Sequence, residues 1–240
     1  MSASANSPEL FDADYFAHCC GPIPYERNAV WLAQFSAIAE HIVAALQPSS
    51  VLDAGCAFGF LVEALRQRNV EAFGIDISAH AIQNVQADTL PYCQRRSVTD
   101  DLDRDYDLIV CIEVLEHMSP REAEVAVANF CRHARSILFS SSPEDFREPT
   151  HLNVQPPEYW SELFARHRFY RDVDFDATFV TAWAVLYQKR SEPMPRVVRD
   201  FERRYWRLWH ENRELRASVL ASRQQSVAPE LAAPEPNRGR

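Results

Sequence analysis

The segment VLDAGCAFGF, residues 51–60, places an acid and two glycines in a short turn between a strand-like run and a helix-like run. The acid is Asp53, and the glycines are Gly55 and Gly59, two of only five glycines in the 240 residues. A glycine in such a turn lets the backbone come close to a ligand, because no Cβ stands between them. The pattern therefore predicts that this turn binds a ligand and that the binding site carries a negative charge. The alternative is that Asp53 only caps the turn.

A second acid, Asp76, ends the next strand-like run, VEAFGID, where a carboxylate can accept hydrogen bonds from both hydroxyls of a ribose. A dinucleotide needs a G-x-G-x-x-G turn for its pyrophosphate. Here Ala57 and Phe60 occupy two of those glycine positions, and Asp53 would repel the phosphates. S-adenosylmethionine instead carries a sulfonium and an ammonium, which an acid attracts. The turn favours S-adenosylmethionine, with an NAD(P)-dependent reductase as the alternative.

The elements around this turn alternate between strand-like and helix-like runs. Apolar spacing predicts helices over 27–47, 59–68 and 78–87, and Ser119, Pro120 and Glu122 form a predicted capping box. Such alternation predicts a parallel sheet with right-handed crossovers. The last two strand-like runs, FYRDVDFDA and FVTAWAVLYQKR, are too close in sequence for a crossover, so they should pair antiparallel as a hairpin.

VLDAGCAFGF, GIDIS and YDLIVCIEVLEHM, in this order, resemble the motifs of class I S-adenosylmethionine-dependent methyltransferases over roughly residues 15–190. This chain departs from the family's acid-x-Gly-x-Gly-x-Gly pattern at Ala57, where a methyl group should be tolerated. The resemblance implies an α/β, Rossmann-like open twisted sheet with helices on both faces. It also implies the strand order 3-2-1-4-5-7-6, with strand 7 antiparallel.

The resemblance further implies which residues contact the cofactor. They are Asp53, Gly55, Cys56, Gly59, Asp76, Ile77, Asp100 and Glu113. Asp53 is expected to receive the methionine ammonium, Asp76 the ribose, Asp100 the adenine amino group, and Glu113 to point toward the methionine part. Two alternatives remain for Asp100. It could cap a helix, or Asp101 could contact the adenine amino group in its place.

Two histidines are the candidate catalytic residues, His117 in EVLEH and His151 in the long loop after the fifth strand. A neutral imidazole is a good general base near neutral pH, so His151 is predicted to take a proton from the acceptor. Glu113, Glu116, His117 and His151 could alternatively bind a divalent metal, as the E-x-x-E-H pattern does in some relatives of the family. The metal-free base is the favoured hypothesis.

YFAHCCGPIPYER and EPTHLNVQPPEYW more closely resemble bacterial methyltransferases associated with glycan assembly. The predicted reaction is O-methylation of a small-molecule or glycan acceptor. A second alternative is a non-catalytic module that binds the cofactor and assembles with other copies.

Four segments are predicted along the chain: a lid or arm over 1–26, the methyltransferase domain over 27–190, a helix over 193–225 and a disordered tail over 226–240. The segment 193–225 contains eight arginines against four acids. Its apolar residues repeat at spacings of three and four, with Asn212 at an a position of the heptads. This pattern predicts a short coiled-coil helix whose apolar side is buried, either in a homodimer, which is favoured, or against the chain's own domain.

The bulk composition limits the partners and the compartment. A net charge of −9 argues against nucleic acid as a partner. Six cysteines without C-x-x-C spacing indicate a reduced, cytoplasmic protein. We expect no run to be apolar and long enough to span a membrane.

Overall fold

The computed structural model describes residues 8–191 and 193–227. The chain forms two compact units, one that ends at Ser191 and one from residue 192 on. The first seven residues of the predicted arm, and the predicted tail from residue 228 on, lie outside the described residues.

The first unit is built on a single seven-stranded sheet in the order β3-β2-β1-β4-β5-β7-β6. The strands are β1 (Ser50–Ala54), β2 (Glu71–Asp76), β3 (Cys93–Arg95), β4 (Tyr106–Ile112), β5 (Ala134–Ser140), β6 (Phe169–Arg171) and β7 (Val185–Lys189). The first five strands pair parallel, whereas β7 pairs antiparallel with both β5 and β6. The predicted α/β fold, strand order and terminal hairpin are confirmed.

The helices of this unit connect successive strands or precede them. They are α1 (Ala13–His18), α2 (Ala29–Leu46), α3 (Phe60–Arg66), α4 (Ala79–Gln83), α5 (Pro120–His133) and α6 (Pro157–Arg166). The capping box predicted for α5 is present, with the Ser119 side chain bonded to the backbone N–H of Glu122 and the Glu122 side chain bonded back to Ser119. Helix α4 is shorter than the predicted 78–87.

The central strands are buried on both faces, as a parallel sheet requires. On one face, alternate residues such as Val51, Leu108 and Val110 pack with α2 and α3. On the other face, Leu52 and Ile109 pack with apolar residues of α5 and α6. The two layers of helices therefore cover the central strands on both faces, and the ends of these strands stay available for a ligand.

Helix α2 is long and apolar enough, with a mean hydropathy of 1.5 over eighteen residues, to cross a membrane. The expectation that no run would reach this length and apolarity was therefore wrong. Ile38, Ala39 and Ile42 of this helix are buried in the core beside the sheet. A core helix passes the same test of length and composition, so this property of α2 is weak evidence for a membrane span.

The second unit contains a single described helix, α7 (Met194–Val227), which has 34 residues. The predicted C-terminal long helix is confirmed. Its large apolar side chains are exposed to solvent, among them Phe201, Tyr205, Leu208 and Leu215.

The β1–α3 turn has an unusual backbone. Gly55 (φ +89°), Ala57 (φ 46°) and Gly59 (φ +72°) all adopt positive φ values, which side chains disfavour. A Cβ on Gly55 would also overlap a methyl group of Val114. Gly55 is therefore required by its conformation and by the close approach of the segment after β4.

We expect Gly55→Ala to destabilise the fold more than Gly21→Ala does. Both glycines have positive φ, but a Cβ on Gly21 would meet nothing within 4 Å. The backbone penalty should be about 1–2 kcal/mol in both variants, and overpacking should add about 1–3 kcal/mol at Gly55 only. Urea denaturation measures both free energies of unfolding. Equal losses in the two variants would show that the Val114 contact is unimportant.

Candidate active site

A cavity of about 510 Å³ lies at the carboxyl ends of the parallel strands. It lies where the strand order reverses between β1 and β4, the place at which open α/β sheets bind ligands. The cavity is lined by the ends of β1, β2 and β4, the segment after β3, helix α2, the loops after β5 and before β7, and the N-terminal arm. Phe11, Tyr15, Phe16, Cys19 and Cys20 come from the arm, which makes much of the cavity wall aromatic.

Asp76 joins the ends of two strands at this cavity. Its carboxylate accepts hydrogen bonds from the backbone N–H of Ala57 (2.9 Å) and of Ser78 (2.8 Å). Burial raises the pKa of Asp76, although these two bonds oppose the shift. Burial, and then the nearby Asp76 carboxylate, raise the pKa of Asp53 to about 8. The cavity therefore contains two carboxyl groups that a cationic ligand would help to ionise.

Six of the eight predicted cofactor residues line the cavity: Asp53, Gly55, Cys56, Asp76, Ile77 and Glu113. The other two do not. Gly59 is the N-cap of α3, where its positive φ turns the chain into the helix. Asp100 is exposed, and its carboxylate accepts a hydrogen bond from Ser97 N (3.1 Å). Ser97 and Val98 line the cavity in this region, whereas the Asp100 carboxylate bonds within a local turn and caps no described helix.

Glu113 and Glu116 form a pair of acids directly after β4. Glu113 has a positive φ of 53°, and its carboxylate accepts a hydrogen bond from Trp183 Nε1 (2.9 Å). Glu116 is fully buried, and its Oε1 accepts from Ser142 N (3.1 Å). Burial, and then the Glu113 carboxylate, raise the pKa of Glu116 well above its usual range.

Glu116 also fixes the loop that follows β5. Its backbone carbonyl accepts hydrogen bonds from Leu152 N and Asn153 N, both at 2.8 Å. Because its side chain binds Ser142 at the other end of the loop, one residue connects both ends. The part of the loop between these anchors contains Glu148 and His151.

His117 is a buried neutral imidazole with a defined tautomer. The Thr150 hydroxyl donates a hydrogen bond to Glu148 Oε2 (2.6 Å). Its oxygen, Oγ1, is therefore the acceptor of the hydrogen bond from Nδ1–H of His117 (2.8 Å). Nε2 of His117 then accepts a hydrogen bond from the Tyr15 hydroxyl (3.3 Å), whose pKa is raised by burial. Burial, and then the neighbouring His151, lower the pKa of His117 to about 4. Hence His117 stays neutral at pH 7 and is already hydrogen-bonded at both nitrogens.

His151 has a different set of partners. Its Nδ1 donates a hydrogen bond to the carbonyl oxygen of Asp145 (2.7 Å), which leaves the Nε2 lone pair of the neutral ring available. Nε2 lies 3.6 Å from Glu148 Oε2, and the His151 ring lies 4.7 Å from that of His117. Of the two predicted catalytic histidines, both line the cavity, but His151 has the freer nitrogen.

The residues that could hold a metal differ from the predicted set. Ligand atoms of His117, Glu148 and His151 all lie within 4.8 Å of one another. Two imidazoles and a carboxylate suit a divalent cation. The structure does not bring Glu113 and Glu116 into this cluster, because their carboxylates bind Trp183 and Ser142 instead.

Sequence reasoning missed Glu148 and Trp183. Glu148 precedes His151 by three residues in the segment EPTHLNVQPPEYW. This short distance in sequence could have identified Glu148 as a partner of the histidine. Trp183 was assigned to a strand-like run, whereas β7 begins only at Val185 and Trp183 lies in the preceding loop at the cavity. Tyr15 and Tyr25 of the predicted lid line the cavity, but His18 is exposed and bonds Asp14.

The family model described as a methyltransferase domain matches residues 26–174, more than half of the chain. A ubiquinone biosynthesis O-methyltransferase of Alkalilimnicola ehrlichii is 31% identical over 129 residues, which cover 50% of this chain and 47% of that protein. A protein of the same name from an Azoarcus species is 30% identical over 113 residues, 42% of this chain and 48% of that protein. The chain spans about half the length of these curated relatives.

Among solved structures, the magnesium protoporphyrin IX methyltransferase of Synechocystis, with bound SAM, has a similar fold. It superimposes with a TM-score of 0.55 at 17% identity over 78% of this chain and 97% of that one. An SAM-dependent methyltransferase from Archaeoglobus fulgidus gives a TM-score of 0.51 at 17% identity, covering 57% and 69%. These likenesses concern the fold, while the match over residues 26–174 shows that the chain belongs to the methyltransferase-domain family.

Proposed function

We propose that this protein transfers a methyl group from S-adenosylmethionine to an oxygen of a small-molecule or glycan acceptor. The observation that carries the proposal is the pair Asp53 and Asp76, which lie in one aromatic-walled cavity at the switch point of a methyltransferase-family sheet. The relatives from Alkalilimnicola and Azoarcus are named O-methyltransferases, which supports oxygen as the acceptor atom.

The residues of the cavity fit this cofactor. Its volume of about 510 Å³ lies within the usual range for small-molecule sites. Asp53 would hold the ammonium, and Asp76 would accept the ribose hydroxyls in addition to its backbone partners. Gly55 lines the cavity with its backbone, while the space of its missing Cβ is filled by Val114. When bound, the cofactor supplies a methyl group on a positively charged sulfur, which an oxygen nucleophile can attack in line.

His151 is the residue best placed to remove the acceptor's proton. Its Nδ1 is committed to the Asp145 carbonyl, so Nε2 would take the proton as the acceptor oxygen forms its bond to the methyl carbon. Glu148, 3.6 Å from Nε2, would stabilise the imidazolium that results. The aromatic arm over the cavity excludes water, and orientation supplies most of the remaining acceleration.

The two alternatives have less support. An NAD(P)-dependent reductase would need a pyrophosphate next to Asp53, and the matching family is one of methyltransferases. A non-catalytic cofactor-binding module would not need a base, yet the cavity holds His151 with a free Nε2 beside a buried carboxylate.

The acceptor would enter beside Trp183. A second groove, lined by Pro143, Phe146 and Arg147 among others, shares Ser142, Asp145 and Trp183 with the main cavity. Phe146 is 74% exposed there. The groove combines two aromatic side chains with one arginine and two acids, Glu144 and Asp145, and this mixed surface suits a polar acceptor that extends beyond the cavity, such as a glycan or a conjugated small molecule. We propose a cytoplasmic location because all six cysteines are free thiols.

Asp76→Ala should weaken binding of S-adenosylhomocysteine at least about tenfold, because charge-assisted hydrogen bonds contribute roughly 1.5–3 kcal/mol each. The matched control is Asp100→Ala, which also removes a carboxylate that accepts a backbone N–H but does not line the cavity. Calorimetry of both variants and of the wild type, with NAD as a second ligand, makes the measurement. Tighter binding of NAD than of S-adenosylhomocysteine by the wild type would favour the reductase.

Binding of S-adenosylhomocysteine should become tighter as pH rises. The free protein has an Asp53 pKa raised to about 8, so most of this carboxyl group is protonated at pH 7. The ammonium of the bound ligand favours the ionised form of Asp53, so binding releases a proton. The affinity for S-adenosylhomocysteine should therefore increase by up to about tenfold per pH unit between about pH 6 and pH 8. Calorimetry across this range tests it. Asp53→Asn is the control and should lose both affinity and the pH dependence.

His151→Ala should lower turnover by about 10²–10⁴-fold while binding of S-adenosylhomocysteine is unchanged. The assay is transfer of an isotopically labelled methyl group to acceptor present in an extract of the source organism. His41→Ala is a suitable control, since His41 is exposed and does not line the cavity. Full activity of the His151 variant would remove His151 as the base.

Adding a chelator to the same assay distinguishes a metal-free base at His151 from a metal site. If His151 acts as a metal-free base, a chelator should leave turnover unchanged. Loss of turnover with recovery on adding a divalent ion would instead assign His117, Glu148 and His151 as ligands.

A further inference from the structure

The loop before β7 places Trp183 at the boundary between the main cavity and the groove beside it. Trp183 lines both of them, and 39% of the residue is exposed. An aromatic side chain with an open face at the mouth of a cavity is a surface on which a ring of a ligand can stack. The place and exposure of Trp183 therefore point to a contact with the acceptor.

We propose that the acceptor binds with a ring stacked on the indole of Trp183, and that Glu113 positions this indole. The inference rests on the proposed methyl transfer, because it concerns the acceptor of the same site. It names the acceptor as a cyclic alcohol or a phenol, a molecule whose reacting hydroxyl group is attached to the stacked ring. Trp183 then contributes to specificity, and Glu113 acts through Trp183.

The indole of Trp183 is held at its polar edge. Nε1–H of Trp183 donates a hydrogen bond to Glu113 Oε1 (2.9 Å). Carboxylates are among the stronger hydrogen-bond acceptors in proteins. Because the N–H group lies on the edge of the indole, this hydrogen bond restricts its orientation and leaves the faces of the ring free for apolar contacts.

The backbone of Glu113 is strained at the point where it supplies this carboxylate. Its φ of 53° lies in the left-handed region, which residues with a side chain adopt rarely. Its N–H still donates to the carbonyl oxygen of Ser140 (3.1 Å), so the chain stays attached to β5. Strained residues of this kind cluster at functional sites. Glycine would adopt the conformation more easily, but it would offer no acceptor to Trp183.

The general base proposed for this site borders the same passage. Asp145 lines both the cavity and the groove, and its carbonyl oxygen accepts the hydrogen bond from Nδ1 of His151 (2.7 Å). His151 and Trp183 both line the cavity that would hold the methyl donor. A ring on Trp183 can therefore direct a hydroxyl group on its own edge toward His151, whereas an open-chain alcohol would gain little from the indole.

The rest of the groove matches a ring with a polar edge. Phe146 is 74% exposed and adds a second aromatic surface. Glu144 and Arg147 line the same groove and can accept from or donate to further hydroxyl groups.

Substitution of Trp183 in the full chain tests the stacking contact. The assay is labelled methyl transfer to acceptor in an extract of the source organism, which is diluted to give an apparent KM. We expect Trp183→Ala to raise this KM about tenfold or more, and Trp183→Phe about threefold or less, because phenylalanine keeps a flat ring. Turnover at saturating extract and binding of S-adenosylhomocysteine should change less than about threefold in both variants.

Two variants of Glu113 test its positioning role. Glu113→Gly removes the carboxylate but suits the positive φ, so it should raise the apparent KM as Trp183→Ala does. Glu113→Gln keeps an oxygen that can accept from the indole and should restore most of the wild-type KM. Trp209→Ala is the control for loss of an exposed tryptophan, because Trp209 is 44% exposed and lines neither the cavity nor the groove.

The indole N–H signals of protein labelled with ¹⁵N-tryptophan measure the hydrogen bond without any acceptor. Loss of one signal in Trp183→Phe identifies Trp183. That signal should move in Glu113→Gly and move less in Glu113→Gln. The ultraviolet absorbance of the purified labelled product distinguishes a phenol from a cyclic alcohol.

Four results would overturn the inference. They are a wild-type KM in Trp183→Ala, a Glu113→Gly variant in which binding of S-adenosylhomocysteine weakens while the KM for the acceptor is unchanged, an unmoved indole signal in that variant, and a labelled product without a ring. A wild type that transfers no label would remove the proposed function and this inference together. Transfer by the wild type with an unchanged KM in Trp183→Ala would remove this inference alone.

Discussion

One carboxylate holds together the two strand ends on which the candidate site is built. Asp76, at the end of β2, accepts hydrogen bonds from the backbone of Ala57 in the β1–α3 turn and of Ser78 at the start of α4. Ala57 has a φ of 46°, a conformation that costs an L residue about 1–2 kcal/mol. The hydrogen bond to Asp76 offsets this strain, so the geometry of the turn depends on the same group that is proposed to hold the ribose. Binding and local folding are therefore coupled at this position.

The sheet could be predicted from the sequence because its determinants are local. Continuous apolar runs such as YDLIVCIEV identify strands buried on both faces, and the short distance between the last two runs required a hairpin. The length of α4 could not be predicted in the same way. Its apolar spacing continues past Gln83, but the chain leaves the helix at Asn84. Helix α2 showed the converse difficulty, since its composition does not distinguish a core helix from a membrane span.

The site was predictable where it consists of strand ends and was not where it consists of loops. Asp53 and Asp76 lie at the carboxyl ends of their strands and Glu113 directly follows β4, so their meeting at one edge follows from the parallel sheet. The positions of Glu148, Thr150 and Trp183 depend on the path of two long loops, which no periodic pattern specifies. The same limit applies to the predicted metal set, because the hydrogen bonds that divert Glu113 and Glu116 come from residues of those loops.

The attachment of the loop after β5 has a consequence for how this protein could diversify. Glu116 binds Ser142 through its side chain and Leu152 and Asn153 through its carbonyl, so both ends of the loop are fixed to one buried residue. The closed segment between these anchors can change in length or sequence without a change in the sheet, because loop-closure entropy grows slowly with length. New acceptor preferences could therefore arise by exchange within residues 143–147 alone, while Glu148, His151 and the cofactor half of the cavity are inherited intact.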